Sequence, residues 1–424
     1  NSILSLYLSA FHFFVVTLSN ISINQIIHNP AYMKRLNVIL ILLCIIINMM
    51  NAQNPFFEKY TTPYGTVPFD KIKTEHYEPA IREGIRQQAA EIDAIVNNPE
   101  APTFANTILA YEKSGELLDR VTTVFGNLRS AETNDDLQTL AQEMMPLLSE
   151  HSNNISLNEE LFKRVKAVYN QKEQLSLTPE QTKLLENIYD GFIRRGANLQ
   201  GEAKKQYRQL TKELSSLTLQ FSENNLKEIN NYQLVLTDKA QLAGLPESAI
   251  EAAAETAKEK GVEGWVFTLQ APSYIPFMTY ADNRDLRHEL YMAYNTKCTH
   301  NNEYNNIDIV KKLVNTRMAI AQLLGYENFA QYTLKKRMAE DSDAVYNLLN
   351  QLLEAYTPTA KKEYQEVQEL ARQEQGAEFT VMPWDWSYYS NKLKDKKFNI
   401  NEEMLRPYFE LEKVKEAVFG LATR

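Results

Sequence analysis

The string His288-Glu289-Leu290-Tyr291-Met292 begins as a zinc-binding helix begins and fails at its last position. In H-E-x-x-H, two imidazoles one helical turn apart hold the metal, and the glutamate serves as general base on the metal-bound water. Met292 stands where the second imidazole belongs, so the ligand geometry is lost. The other histidines after residue 52, His76, His151 and His300, form no i, i+4 pair. We therefore reject a zinc site here and expect a surface histidine on an ordinary helix, with Leu286, Leu290, Tyr291 and Tyr294 turned inward. Cys298 near His300 suggests a thiol nucleophile, but residues two apart point to different sides of a helix and no activating group accompanies them. A buried or incidental cysteine is the expectation. No G-x-S-x-G, Walker or G-x-G-x-x-G string occurs, which leaves serine-hydrolase, P-loop and dinucleotide chemistry without support.

The densest remaining cluster is Pro383-Trp384-Asp385-Trp386-Ser387-Tyr388-Tyr389. It has two readings. In one, Asp385, Tyr388 and Tyr389 line a substrate cleft, where phenol hydroxyls bond a peptide backbone. In the other, Trp384 and Trp386 are core anchors, and Asp385 caps a helix starting at Trp386. Pro383 biases Met382 toward extended backbone in either case. The residues alone leave both open.

The elements around these residues should be mainly helical. Only 13 glycines in 424 residues is well below the usual ~7%. Helices begin with proline just inside the start, at Pro179 and Pro246, and end on glycine, at Gly261 and Gly325. From Asp343 to Tyr356, Val345, Leu348, Leu349, Leu352, Leu353 and Tyr356 form one apolar stripe, with Asp341 or Ser342 placed to cap it. Pro358 should kink or end that helix before Lys361–Gln375 resumes. Residues 201–230 form another long helix, with Tyr207, Leu210, Leu214, Leu217 and Phe221 on one side. Tyr232–Leu236 and Trp265–Leu269 read as strands flanking a helix over Pro246–Lys260, which makes a small sheet. A domain boundary is expected near residue 275, dividing an N-terminal helical region, 53–275, from the first part of a core, 276–424.

The N-terminal end carries its own signal. Residues 1–32 contain no charged residue, and Met33-Lys34-Arg35 then precedes the apolar run Leu36–Ile47. These are the proportions of a secretory signal peptide over 33–52, with Ala52 the last residue removed. We expect Met33 to be the true start and residues 1–32 to be upstream read-through. The run Leu36–Ile47 and the earlier apolar run Leu4–Leu18 are both shorter than the ~20 residues a spanning helix needs, so no stable membrane association is expected after processing. Lys34 and Arg35 are the only charges in residues 1–52, leaving 43 basic and 54 acidic residues beyond them, a balance of −11. That balance argues against nucleic acid as a partner. Cys298 alone remains after processing, so no intrachain disulfide is available.

Pro383-Trp384-Asp385-Trp386-x-x-Tyr389, Phe398 and Leu405-Arg406-Pro407-Tyr408-Phe409-Glu410-Leu411 together resemble the thimet-oligopeptidase-like family of zinc metallopeptidases. Trp386 and Phe409-Glu410-Leu411 look more like its bacterial peptidyl-dipeptidase branch than the oligopeptidase A branch. Asn54-Pro55-Phe56-Phe57, Val67–Ala80 and Leu323–Ala330 extend the likeness over 54–424. The resemblance implies a helical, two-lobed zinc-peptidase fold with a deep channel for short oligopeptides. It also implies zinc held by H-E-x-x-H and a downstream glutamate. All of those residues are expected beyond Arg424, so the chain is expected to stop before the catalytic zinc helix, to lack its C-terminal catalytic half, and by itself to bind no catalytic zinc and cleave nothing. The other class of function compatible with the sequence is a non-catalytic helical module binding peptides or a partner. Val414, Val418, Phe419 and Leu421, an apolar terminal helix with nothing after it, bear on that choice.

Overall fold

The computed structural model describes residues 54–399 and 402–424. The expected signal peptide and the read-through segment lie outside the described residues. The described residues are mainly helical, with one two-stranded sheet, and fall into two compact units divided after Ala197.

In the first unit, helix α1 (Tyr77–Val96) packs against α2 (Glu116–Ala131), α3 (Asp135–Ser156) and α4 (Glu159–Tyr169). Short polar side chains start these helices: Asn134 accepts from the Leu137 N–H and Asn158 from the Leu161 N–H. Pro179 opens α5 (Pro179–Arg194) as the sequence predicts, behind a Thr178/Gln181 capping box. α1 and α2 approach closely at Gly84, where a Cβ would lie 2.9 Å from the Leu118 Cα. The core joins Ile92, Ile95 and Ile108 to Leu161, Val165, Leu185 and Phe192. The opening segment is pinned by Asn54, whose side chain donates to the His76 carbonyl at 2.8 Å and accepts from the Phe56 N–H at 3.1 Å.

The second unit starts with α6 (Gly201–Asn231), close to the span expected. Its buried side takes in Tyr207 and Leu217 but drifts to Leu219 and Glu223, leaving Phe221 exposed. It lies along α10 (Ile307–Leu323), with Leu217, Ile309 and Leu313 between them. Strands β1 (Leu234–Leu236) and β2 (Trp265–Phe267) pair antiparallel, Leu234 opposite Phe267, and are shorter than the sequence suggests. Helix α7 (Glu247–Glu259) covers the sheet, and α8 (Ala271–Tyr280) and α9 (Arg284–Asn295) complete a core around Phe267, Phe277 and Leu290. Residue 275 falls inside α8, so the sheet and the helices after it share one unit.

Helix α11 (Ser342–Gln375) is capped by Asp341, as expected, and departs from expectation in two ways. It runs unbroken through Pro358. The missing N–H and the freed carbonyl lie among exposed residues, where water can replace the lost bond. Its apolar stripe is also exposed: Leu348, Leu349, Leu353 and Tyr356 are each more than half accessible. Burial begins only at Val367, against α12 (Trp386–Phe398). The last helix, α13 (Leu411–Thr423), exposes Val418, Phe419 and Leu421.

Candidate functional site

The aromatic segment 383–389 is built onto the first turn of α9. Asn283 caps that turn, accepting from the Asp285 and Leu286 N–H groups at 3.1 and 3.2 Å. The i, i+3 spacing of Arg284 and Arg287 then presents both guanidinium groups on one side of the helix. Between them sits Asp385, with no accessible surface. Arg284 Nη2 donates to one carboxylate oxygen at 2.7 Å and Arg287 Nη2 to the other at 2.8 Å. Arg284 Nε spans both oxygens at 3.1 Å, and the Met382 N–H adds a bond at 3.1 Å.

Arg287 is itself buried, and its other donors reach the carbonyls of Ala281 (2.7 Å), Asp282 (3.1 Å) and Trp384 (3.2 Å). Its guanidinium lies 4.2 Å from the Tyr388 ring centroid. The Tyr388 hydroxyl donates to Asp282 at 2.7 Å. Tyr389 packs edge-on to Tyr388 and Phe379 within a small core that includes Val367, Ala371 and Val381. Gln368 on α11 holds the approach to this segment, donating to the Phe379 carbonyl at 2.8 Å and accepting from the Val381 N–H at 3.0 Å.

The structure thus brings Asp385, Tyr388 and Tyr389 together, all buried, and gives the first two intramolecular partners. The carboxylate is saturated by arginines and backbone, so the role its geometry supplies is that of an ion-pair hub joining α9 to α12. Two details of the scaffold reading need correction. Asp385 does sit at the first position before α12, but its side chain makes no cap bond there, because the arginines hold it. Trp386 is no core anchor: it is 39% exposed and lies parallel to the Tyr364 ring. Trp384 is partly buried, with its ring edge-on to His288.

Sequence reasoning missed Arg284 and Arg287. The available signal was their one-turn spacing just after an Asn cap, which looks like any solvated helical face until the acid 100 residues later is placed between them.

Burial by itself would push the Asp385 carboxyl up. The hydrogen bonds from Arg284, Met382 and Arg287 outweigh it and hold the group below the usual carboxylate range. A carboxylate depressed on folding contributes stability that is complete above its unfolded value near ~4 and is lost as pH falls through the folded value. The stability of the second unit should therefore fall below about pH 4. The Asp385→Asn variant should lack up to one proton's worth of that slope, about 1.4 kcal/mol per pH unit. Denaturant midpoints measured from pH 6 to pH 2.5 check this, and equal slopes in both proteins overturn it.

The remaining candidates are quiet. Cys298 is buried, and desolvation pushes its thiol up, away from a nucleophilic thiolate. Among the described residues, no three His, Cys, Asp or Glu side chains are placed to hold a metal ion. The described residues do not fit the zinc that the resemblance implies. No helix among the described residues is long and apolar enough to cross a membrane.

Residues 277–424, which carry this hub and both exposed helices, match the sequence profile of Peptidase family M3. Over these residues the chain is similar to peptidase family M3. The likeness to M3 proteins also reaches well outside that segment. The chain is 39% identical over 377 residues to dipeptidyl carboxypeptidase of Escherichia coli, a match covering 88% of this chain and 55% of the relative. The Salmonella typhimurium dipeptidyl carboxypeptidase is 37% identical over 375 residues, with the same coverage of both chains. Oligopeptidase A of Haemophilus influenzae is 33% identical over 379 residues, again 88% of this chain and 55% of that one. The chain therefore spans about half the length of the M3 relatives it matches.

Proposed function

We propose that this chain forms the N-terminal part of an exported zinc metallopeptidase that hydrolyses short oligopeptides and releases dipeptides from their C-termini. One observation carries the choice of reaction: identity to the two dipeptidyl carboxypeptidases, 39% and 37%, exceeds the 33% to oligopeptidase A. The mainly helical fold and the M3 match agree with a peptidase parent. In such an enzyme the metal supplies Lewis acidity and a water of lowered pKa. This chain supplies scaffold around the channel, including the locked segment 383–389. By itself it holds no catalytic zinc and cleaves no peptide. Export rests on the charge and apolar pattern of residues 33–52.

The test reads the same gene in frame beyond codon 424 and expresses the whole product. An H-E-x-x-H motif downstream, about one zinc per chain, and chelator-sensitive release of C-terminal dipeptides from blocked tetrapeptides are expected. Cleavage at internal bonds replaces the dipeptidase assignment with an endopeptidase one. A stop at codon 425 overturns the peptidase parent and favours the non-catalytic binding module. N-terminal sequencing of exported material should begin at Gln53, and a mature start upstream of Met33 overturns the export assignment.

A further inference from the structure

Among the described residues, Tyr64 and Phe69 are the only large exposed apolar side chains of the first unit, and the others belong to the second. Within the second unit the first half of α11 is a continuous exposed face. Thirty-four residues give this helix a length of about 51 Å. Only its last third is buried, beside α12, and its start touches the short helix Phe329–Leu334. In between, Leu348, Leu349, Leu352, Leu353 and Tyr356 follow the i, i+3, i+4 rule on one side. Asp343, Asn347, Asn350, Gln351 and Glu354 occupy the other side. A helix polar all round could stand in water; one with this stripe gains most of its stability from a packed partner.

We infer that this strip is an interaction surface whose occupant is the polypeptide corresponding to the part of the dipeptidyl carboxypeptidases that this chain does not span. Two facts select that occupant over a second copy. The strip lies wholly inside the segment matching the M3 profile, and the matched relatives carry nearly as much polypeptide again as the chain covers. The strip's polar side combines the acids Asp343 and Glu354 with the amides Asn347, Asn350 and Gln351, so only the apolar side is suited to burial. This inference rests on the peptidase reading for the identity of the partner.

A chimera joining this chain to the remaining portion of the Escherichia coli dipeptidyl carboxypeptidase tests it, with amide exchange over residues 342–358 as the readout. In the chain alone these amides should exchange fast. In the chimera they should slow by at least roughly 100-fold, as burial of two or more leucines requires. Leu349→Asp with Leu353→Asp should abolish the slowing. Because both side chains are exposed in the chain alone, the pair should leave its thermal midpoint unchanged. Equal exchange in chain and chimera overturns the inference, as does slow exchange in the chain alone accompanied by a doubled mass in solution, which assigns the strip to a second copy. The two readings separate cleanly. A chimera that protects the strip but releases no dipeptides keeps the interface and removes the peptidase assignment, and one that hydrolyses peptides with the strip unprotected does the reverse.

Discussion

Alanine at Asp385 should destabilise the second unit by about 3–5 kcal/mol, because it leaves Arg287 buried without its counter-charge. The loss is larger than any one of its hydrogen bonds. Removing the acid strands two guanidinium groups, one of them fully enclosed, while its own desolvation is relieved only on one side. Tyr388→Phe removes a single bond to Asp282 and should cost about 1 kcal/mol. A third variant, Asp385→Leu with Arg287→Met, should recover part of the loss, since a buried ion pair replaced by packed apolar groups is often near neutral. The assay is convenient: the only tryptophans, Trp265, Trp384 and Trp386, all lie in the second unit, so their fluorescence in a denaturant series follows it alone. A shift below about 1 kcal/mol for Asp385→Ala would show the hub to be ornamental.

Gly264→Ala should be nearly as damaging, at about 3 kcal/mol, through the backbone and not through charge. Gly264 turns into β2 at φ 96°, where a side chain is rarely accommodated, and a Cβ there would lie 2.2 Å from the Leu236 carbonyl oxygen. That carbonyl belongs to the last residue of β1, so relief of the clash must pull apart a ribbon of three paired residues. The same fluorescence series reads the effect, and Gly261→Ala is the comparison. Gly261 also has positive φ but meets nothing within 4 Å, so it should lose only the conformational part, about 1 kcal/mol. Equal losses at both positions would mean that the steric term had been overestimated.

What could be seen in the sequence divides along physical lines. Helix starts were legible, because a cap is a local event: Asp341 bonds the Ala344 N–H and Thr178 the Gln181 N–H within one turn. Both strands were legible from their β-branched and aromatic residues, although only three residues of each pair. Which apolar face is covered was not legible. The stripe on α11 has the same periodicity as the faces of α4 and α5, which are buried, and spacing cannot say whether anything arrives to cover it. The Asp385 hub was invisible for a different reason. Its partners are about 100 positions away in the chain, and a lone acid before a helix resembles a cap unless the arginines are known to be there. Family likeness succeeded where both failed, because it draws on the whole string of residues and needs none of their contacts.

The uneven sharing of exposed apolar residues between the two units sets a timetable for synthesis. Once residue 197 has left the ribosome, the described part of the first unit has most of its large apolar side chains buried within itself and can close on its own. The second unit has no such moment within these residues. From the emergence of Tyr346 onward, the growing chain displays sticky helical surface that its own completed parts do not hide. During that interval the α11 strip is where a holding chaperone, or an unwanted neighbour, would take hold.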